Sequence, residues 1–291
     1  MLDATRPGLI AFPAFLLLIA FEAWWYWSRR RIAYPWRDSL ASFGVAVGYK
    51  LAGLLVPLVA LPVYLYAWDH RLVTVPLDTV WGIALLILGV EFFYYWFHRY
   101  SHEIRWLWAT HAVHHSPQHL NFAAAYRLGW TGLISFNWIF WLPLVAIGFH
   151  PAAVFLTLGI NLVYQFWLHT QLIGKLGPLE WVLNTPSHHR VHHATNPAYI
   201  DRNYGGVVIV FDRLFGTFAE ERAEDPCRFG LVHPCPSRNP FIIAFHEWAR
   251  MGRDLWRARN WRDRWQALFG RPGATRSGGA AVAAPSRQAA E

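Results

Sequence analysis

Five apolar runs, at residues 10–27, 40–68, 80–97, 131–149 and 152–167, leave this chain few ways to fold. A helix needs roughly 20 mainly apolar residues to cross the hydrocarbon of a bilayer. The first three runs meet that length. The last two are shorter and meet at His150-Pro151, so they read either as short spans or as a shallow hairpin. Lipid offers a backbone no hydrogen-bond partners, which restricts such runs to helices unless a barrel closes. Only 15% of the 291 residues are charged, against about 25% in soluble domains. The expected fold class is all-α, a polytopic membrane helical bundle with a cytoplasmic, helical, histidine-rich metal-binding cap.

Basic residues in short loops set orientation. Arg29, Arg30, Arg31 and Arg37 mark the loop after the first run as cytoplasmic. Asp69, His70, Arg71 and Asp78 give the next loop no basic excess. Alternation then brings the third run out at His98 on the cytoplasmic face. The first run is followed, not preceded, by its positive charges, so it reads as a retained span rather than a cleaved signal. An integral, multi-pass protein results, in the inner or plasma membrane if the source is bacterial. The net charge of +8 is carried by arginines interleaved with tryptophans. That pattern points to anionic lipid headgroups rather than nucleic acid.

Ten of the fifteen histidines fall into three clusters and one outlier, all within residues 98–193. The clusters are His98/His102, His111/His114/His115 and His188/His189/His192/His193, with His169 at the end of the fifth run. Spacings of three and four residues place two rings on one side of a helix, and neutral imidazole is a common metal ligand. Glu91, Tyr95, His98 and His102 share one helical face. Glu91 therefore reads either as a carboxylate that orients a histidine or as one with no metal role. Nine residues from His102 to His111 rotate a helix by about 900°, so the chain must bend between Glu103 and Thr110. Thr185 is a candidate cap and Pro186 a first helical residue for the third cluster, and Pro117 and Pro197 limit the second and third. One catalytic zinc takes about three protein ligands, far fewer than ten. Two metals with four or five nitrogens each fit better. Redox iron suits such a site, and donor type alone leaves zinc and manganese open. Glu103, Asp201 and Asp212 are the carboxylates placed to offset the metals' charge. His70, His150, His233 and His246 stay outside the set, and His119 lies off its pattern.

The domain reading is 1–79 for N-terminal membrane helices, 80–220 for the metal-binding domain, 221–270 for a cytoplasmic or interfacial region and 271–291 for a disordered tail. Residues 245–269 combine Trp261, Trp265 and Leu268 on one face with Arg250, Arg253, Arg257, Arg262 and Arg264, as in a helix lying among headgroups. Cys227 and Cys235 have no metal or disulfide spacing. Trp106, Trp108, Trp130 and Trp138 are portal or belt candidates.

These histidines resemble the HX3H, HX2HH and HX2HH boxes of the fatty acid hydroxylase and sterol desaturase superfamily of integral membrane di-iron proteins. His98/His102, His111/His114/His115 and His189/His192/His193 match them in order. The 184–193 stretch, Asn203-Tyr204-Gly205 and the 212–217 segment are also similar to that family, so about half the chain is covered. His102-Glu103, Leu107–His111 and Val113–Ser116 look like the alkylglycerol-monooxygenase-like branch. There Glu103 matches a glutamate after the first box, which implies a catalytic role for it. The chain departs from the branch at Ser116-Pro117-Gln118 and at residues 123–127. The resemblance implies two iron ions, O2 as co-substrate, a lipid or sterol-like substrate and an external electron donor, either a separate protein or a small reductant. The reaction it implies is hydroxylation, or else desaturation, of an alkyl C–H bond. A membrane metallohydrolase and a metal transporter are the rival classes. The His-Glu-x-x-His arrangement of zinc peptidases is absent after His102-Glu103. A transporter would place ligands near mid-membrane on broken helices, whereas these lie at the ends of runs.

Overall fold

The computed structural model describes residues 6–31, 33–235 and 237–273. The expected tail at 271–291 lies outside them from residue 274 onward. Helix α1 (Arg6–Trp25) continues into a wider π-type turn, Tyr26–Arg30, and presents Ile10 and Leu17 outward. The run expected as one span at 40–68 is instead two helices, α2 (Trp36–Gly53) and α3 (Val56–Asp69), bent by 49°. Pro57, in the first turn of α3, supplies no backbone N–H and crowds the turn before it, which favours the break there. Helix α4 (Val80–Glu103) starts on the hydroxyl of Thr79, which accepts from Gly82 N at 3.2 Å. At 24 residues it spans about 36 Å and carries both His98 and His102 on its last turns.

The fourth run does not form a long helix. Turns and a 3-10 segment, Asn137–Trp141, lead into a short α6 (Leu142–Ile147). Gly148 then turns the chain with φ of 139°, a conformation open to glycine, into α7 (Pro151–Phe166). A side chain on Gly148 would also collide with the carbonyl of Val73. Sixteen residues give α7 about 24 Å, short of the bilayer core. The described residues thus hold two helices long and apolar enough to cross a membrane, or three if the bent α2–α3 pair is one span.

Tyr64, Leu86, Val90, Tyr94, Trp141, Leu144 and Val154 pack the core between α3, α4, α6 and α7. Phe15 and Ile19 of α1 pack on Phe166, with the Phe15 and Phe166 rings stacked 3.7 Å apart. The cap comprises α5 (Arg105–His115), α8 (Pro186–His192), α9 (Val210–Leu214), α10 (Pro240–Arg257), α11 (Trp261–Phe269) and the loops between them. Among the described residues the extended pairings are two isolated bridges, Leu183–Val208 and Ala194–Phe229. Residues 245–269 split between α10 and α11. Ile243, Ala244, Glu247 and Met251 of α10 are buried, while Trp256, Trp261 and Trp265 are exposed. The segment therefore packs on its own domain along one face and leaves Trp256, Trp261 and Trp265 outside.

Candidate metal centre

Helix α4 ends because Ile104 adopts an extended backbone (φ −113°, ψ 118°). That one residue is the bend that the spacing of His102 and His111 demands. It sends α5 back across α4, and the buried Arg105 holds the corner through Asp254 at 2.6 Å and Glu247 at 3.4 Å. Helix α8 and His169, just past α7, close the other sides.

Nine histidines meet there in two groups. Ring nitrogens of His98, His102, His111, His115 and His192 lie within 4.8 Å of one another, as do those of His114, His169, His189 and His193. Every ring is buried except that of His111, which is half-buried. Both α5 and α8 serve both groups. On α5, His111 and His115 face one and His114 the other. On α8, His192 faces one and His189 and His193 the other. The His115 and His193 rings stack between them at 4.3 Å.

The nitrogens approach as ligands of one ion would. Nε2 of His111 lies 3.0 Å from Nε2 of His98 and 3.1 Å from that of His115. In the second group the Nε2 separations are 3.2 Å for His169–His114 and 3.0 Å for His189–His169 and His193–His189. A metal–nitrogen bond of about 2.1 Å with neighbours at right angles gives about 3.0 Å between them. Four rings are also oriented from behind. The Nδ1–H groups of His98, His114, His169 and His192 donate to the carbonyls of Tyr204 (2.8 Å), Arg127 (3.2 Å), Gln165 (2.9 Å) and Arg202 (3.0 Å). Each bond directs a bare Nε2 lone pair inward, as metal-binding histidines require. Lone pairs that converge this closely repel one another unless a cation lies between them, so these residues fit a bound metal. Burial and the neighbouring rings push His111, His114, His115, His189, His192 and His193 well below the ordinary imidazole range, and burial takes His169 to about 4. All seven are therefore neutral, and able to bind metal, at pH 7.

The loop that orients the first group is itself braced. Asp212, fully buried, accepts from Tyr204 N, Gly205 N and Thr217 Oγ1, each at 2.7 Å. Asn203, with φ of 57°, reaches the carbonyls of His188 (3.0 Å) and Ala219 (2.8 Å). Glu91 accepts from the Asn161 amide and from Val207 N (2.9 Å) and Val208 N (3.1 Å). Glu91 contacts no histidine and anchors this loop.

His188 is in neither group. Its ring packs on Phe218 at 5.2 Å, with Nε2 3.8 Å from Glu180. Thr185 occupies the cap position of α8, yet its hydroxyl donates to Glu180 at 2.9 Å instead of capping the helix. Glu103 also reaches neither group and pairs with Arg99 (3.1 Å) and Arg271 (3.6 Å). Asp201 lies 3.6 Å from Nδ1 of His102. Of the four tryptophans, Trp108 covers the first group, 5.2 Å from His102 and 5.5 Å from His115. Trp106 and Trp130 donate to the carbonyls of Ile134 and Val45, and Trp138 borders the membrane core.

Glu22 was not anticipated. It is the one acid in the first apolar run and fully buried. It accepts from Thr170 Oγ1 (2.6 Å), Phe122 N (2.9 Å) and Tyr34 OH (3.2 Å). Thr170 follows His169, so Glu22 ties α1 to the second group. A lone carboxylate in a spanning segment usually has a partner, and that was the available signal.

Residues 83–217, which hold all nine rings, match the family model for fatty acid hydroxylases. Over that segment the chain is similar to fatty acid hydroxylases. Over 273 residues it is 38% identical to alkylglycerol monooxygenase of Xenopus tropicalis, covering 93% of this chain and 59% of the relative. Human alkylglycerol monooxygenase is 40% identical over 237 residues, 81% of this chain and 52% of the relative. Ornithine lipid hydroxylase OlsE of Rhizobium tropici is 33% identical over 143 residues, 47% and 43% of the two chains. The chain thus spans between half and three-fifths of the alkylglycerol monooxygenases quoted. No solved structure matches it. The matched segment begins inside α4 and ends at Thr217, the hydroxyl that braces Asp212.

Proposed function

We propose that this protein is a membrane-bound oxidoreductase that hydroxylates an alkyl C–H bond of a lipid, using O2 and electrons from an external donor. The observation that carries the reading is the division of nine histidines, eight of them buried, into groups of five and four with converging Nε2 atoms. In it, His98, His102, His111, His115 and His192 hold one iron, and His114, His169, His189 and His193 hold the other. Bound iron supplies the oxidising chemistry. The chain's own residues keep the imidazoles neutral, fix their tautomers through backbone carbonyls and bury the site against water. Asp201 brings negative charge beside His102. The relatives named as monooxygenase and hydroxylase favour hydroxylation over desaturation, and alkylglycerols are the first substrates to assay.

The cap shares one end of the bundle with the arginine-bearing loop. Asp38 at the start of α2 pairs with Arg127 at 2.6 Å, and Tyr34 reaches Glu22. By the charge rule for short loops this end is cytoplasmic, where a soluble reductant has access and a lipid enters from the side.

The test is elemental analysis and iron-57 Mössbauer spectroscopy of the detergent-purified chain, followed by O2-dependent oxidation of an alkylglycerol with a supplied reductant. Two irons per chain with a coupled signal, and alcohol formed in proportion to O2 consumed, are expected. Stoichiometric zinc with no iron after anaerobic reconstitution would overturn the reading.

A further inference from the structure

A cleft of about 770 Å³ opens between the end of α1 and the start of α2, away from the histidines. Alanines 20, 23 and 33 leave its space, and Trp24, Trp27 and Trp36 form walls that are themselves exposed. Arg31 stands at its lip. Its backbone has a φ of 55°, uncommon for a residue with a side chain, and is held by its N–H bonding to Tyr26 O. Among the described residues its guanidinium has no carboxylate partner. Arg29 and Arg30 precede it. Along α1 the surface leading to the cleft is apolar and outward-facing, through Leu17 and Phe21.

Three features converge on one occupant. The cleft continues the lipid-facing side of a membrane helix. It lies where that helix leaves the hydrocarbon, the level at which tryptophans and arginines meet headgroups. Its mouth carries unpaired positive charge of the kind that takes a phosphate in a forked hydrogen bond. We infer that this cleft is a phospholipid site, with the headgroup phosphate on Arg31 and an acyl chain laid over Ala20 and Ala23 between the tryptophans. The floor gives the site a structural consequence. Tyr34 lines the cleft and donates to Glu22, which holds Phe122 and Thr170 beside the second histidine group. A lipid seated there braces α1 against the cap.

The full chain, reconstituted in phosphatidylcholine nanodiscs containing phosphatidylglycerol, would be released and examined by native mass spectrometry. Metal content and elution volume would serve as folding controls. We expect retained phosphatidylglycerol on the wild type and a roughly tenfold loss of retention in Arg31→Glu. Ala20→Phe, which fills the cleft at an exposed position, should lose the lipid without a change of charge. Arg264→Glu, an exposed arginine on α11, should keep it. Equal retention by Ala20→Phe and wild type would overturn the site. So would equal loss in Arg264→Glu, which would make the effect one of overall charge, or displacement by inorganic phosphate alone, which would make the ligand a free anion. Lipid retention is read without turnover, so a failure here is distinct from a failure of the proposed oxidation.

Discussion

Asp212 touches no histidine, yet its removal should weaken one histidine group and spare the other. Its carboxylate takes three hydrogen bonds of 2.7 Å, two of them from the backbone of Tyr204 and Gly205. Asp212→Ala leaves those two buried N–H groups without acceptors. At about 1–3 kcal/mol for each, the cost is roughly 2–6 kcal/mol, a large share of the 5–15 kcal/mol that typically holds a domain together. Relaxation of the loop moves the carbonyls of Arg202 and Tyr204, the acceptors for His192 and His98. Loss of such outer partners typically lowers metal affinity about 10- to 100-fold. The second group takes its orientation from Arg127 and Gln165, outside this loop. The assay is a competitive iron(II) titration of the metal-free protein in detergent, with thermal unfolding alongside. One tight and one weakened site is expected, with Thr217→Val, which deletes the bonds to Asp212 and Tyr95 but leaves both backbone N–H groups their acceptor, costing less, about 1–3 kcal/mol. Equal weakening of both sites, or unchanged binding at both, would refute the bracing argument.

Other outcomes follow from the same geometry. His189→Ala should empty the second group, whereas His188→Asn should leave the metal content of both groups intact; elemental analysis of the two variants separates the adjacent residues. Arg127→Met strands Asp38 in a largely buried setting and should destabilise by about 3–5 kcal/mol, read by denaturant unfolding of the cap. Glu91→Leu should release Val207 and Val208 and increase hydrogen exchange at residues 203–208, with no direct effect on any ring. In the metal-free protein, folded histidines with depressed pKa values refuse protons that the unfolded chain accepts. Stability is therefore present above the ordinary value of 6.5 and lost as pH falls, through about 4 for His169, by up to about 1.4 kcal/mol per ring per pH unit. A melting temperature that rises on acidification between pH 6.5 and 4 would contradict this.

Helical class, the long third run and the histidine spacing were all legible because each depends on neighbours in sequence. The bend before α5 was also derivable, since nine residues of straight helix would put His102 and His111 on opposite sides. The break between α2 and α3 was missed because a hydropathy run does not register what Pro57 does to backbone geometry. The role of Glu91 stayed open in the sequence because its partners, Asn161 and the amides of Val207 and Val208, lie 70 or more positions away. Thr185 misled for a related reason. Its hydroxyl had an acceptor in Glu180 that competes with helix capping, and only folding brings the two together.

By itself the sequence determined that this chain forms apolar helices, that it carries imidazoles in helical pairs at their ends, and that those pairs outnumber the needs of a single metal. Periodicity and composition are local properties, so they can be read along the chain. Tertiary structure decided how the rings are shared. It put His111 and His115 with His192, put His114 with His169, His189 and His193, and turned His188 away toward Glu180 and Phe218. A helix face is wide enough to serve two centres, so which ring goes to which is set by the crossing of α4, α5 and α8 and by the distant carbonyls that accept from each Nδ1–H.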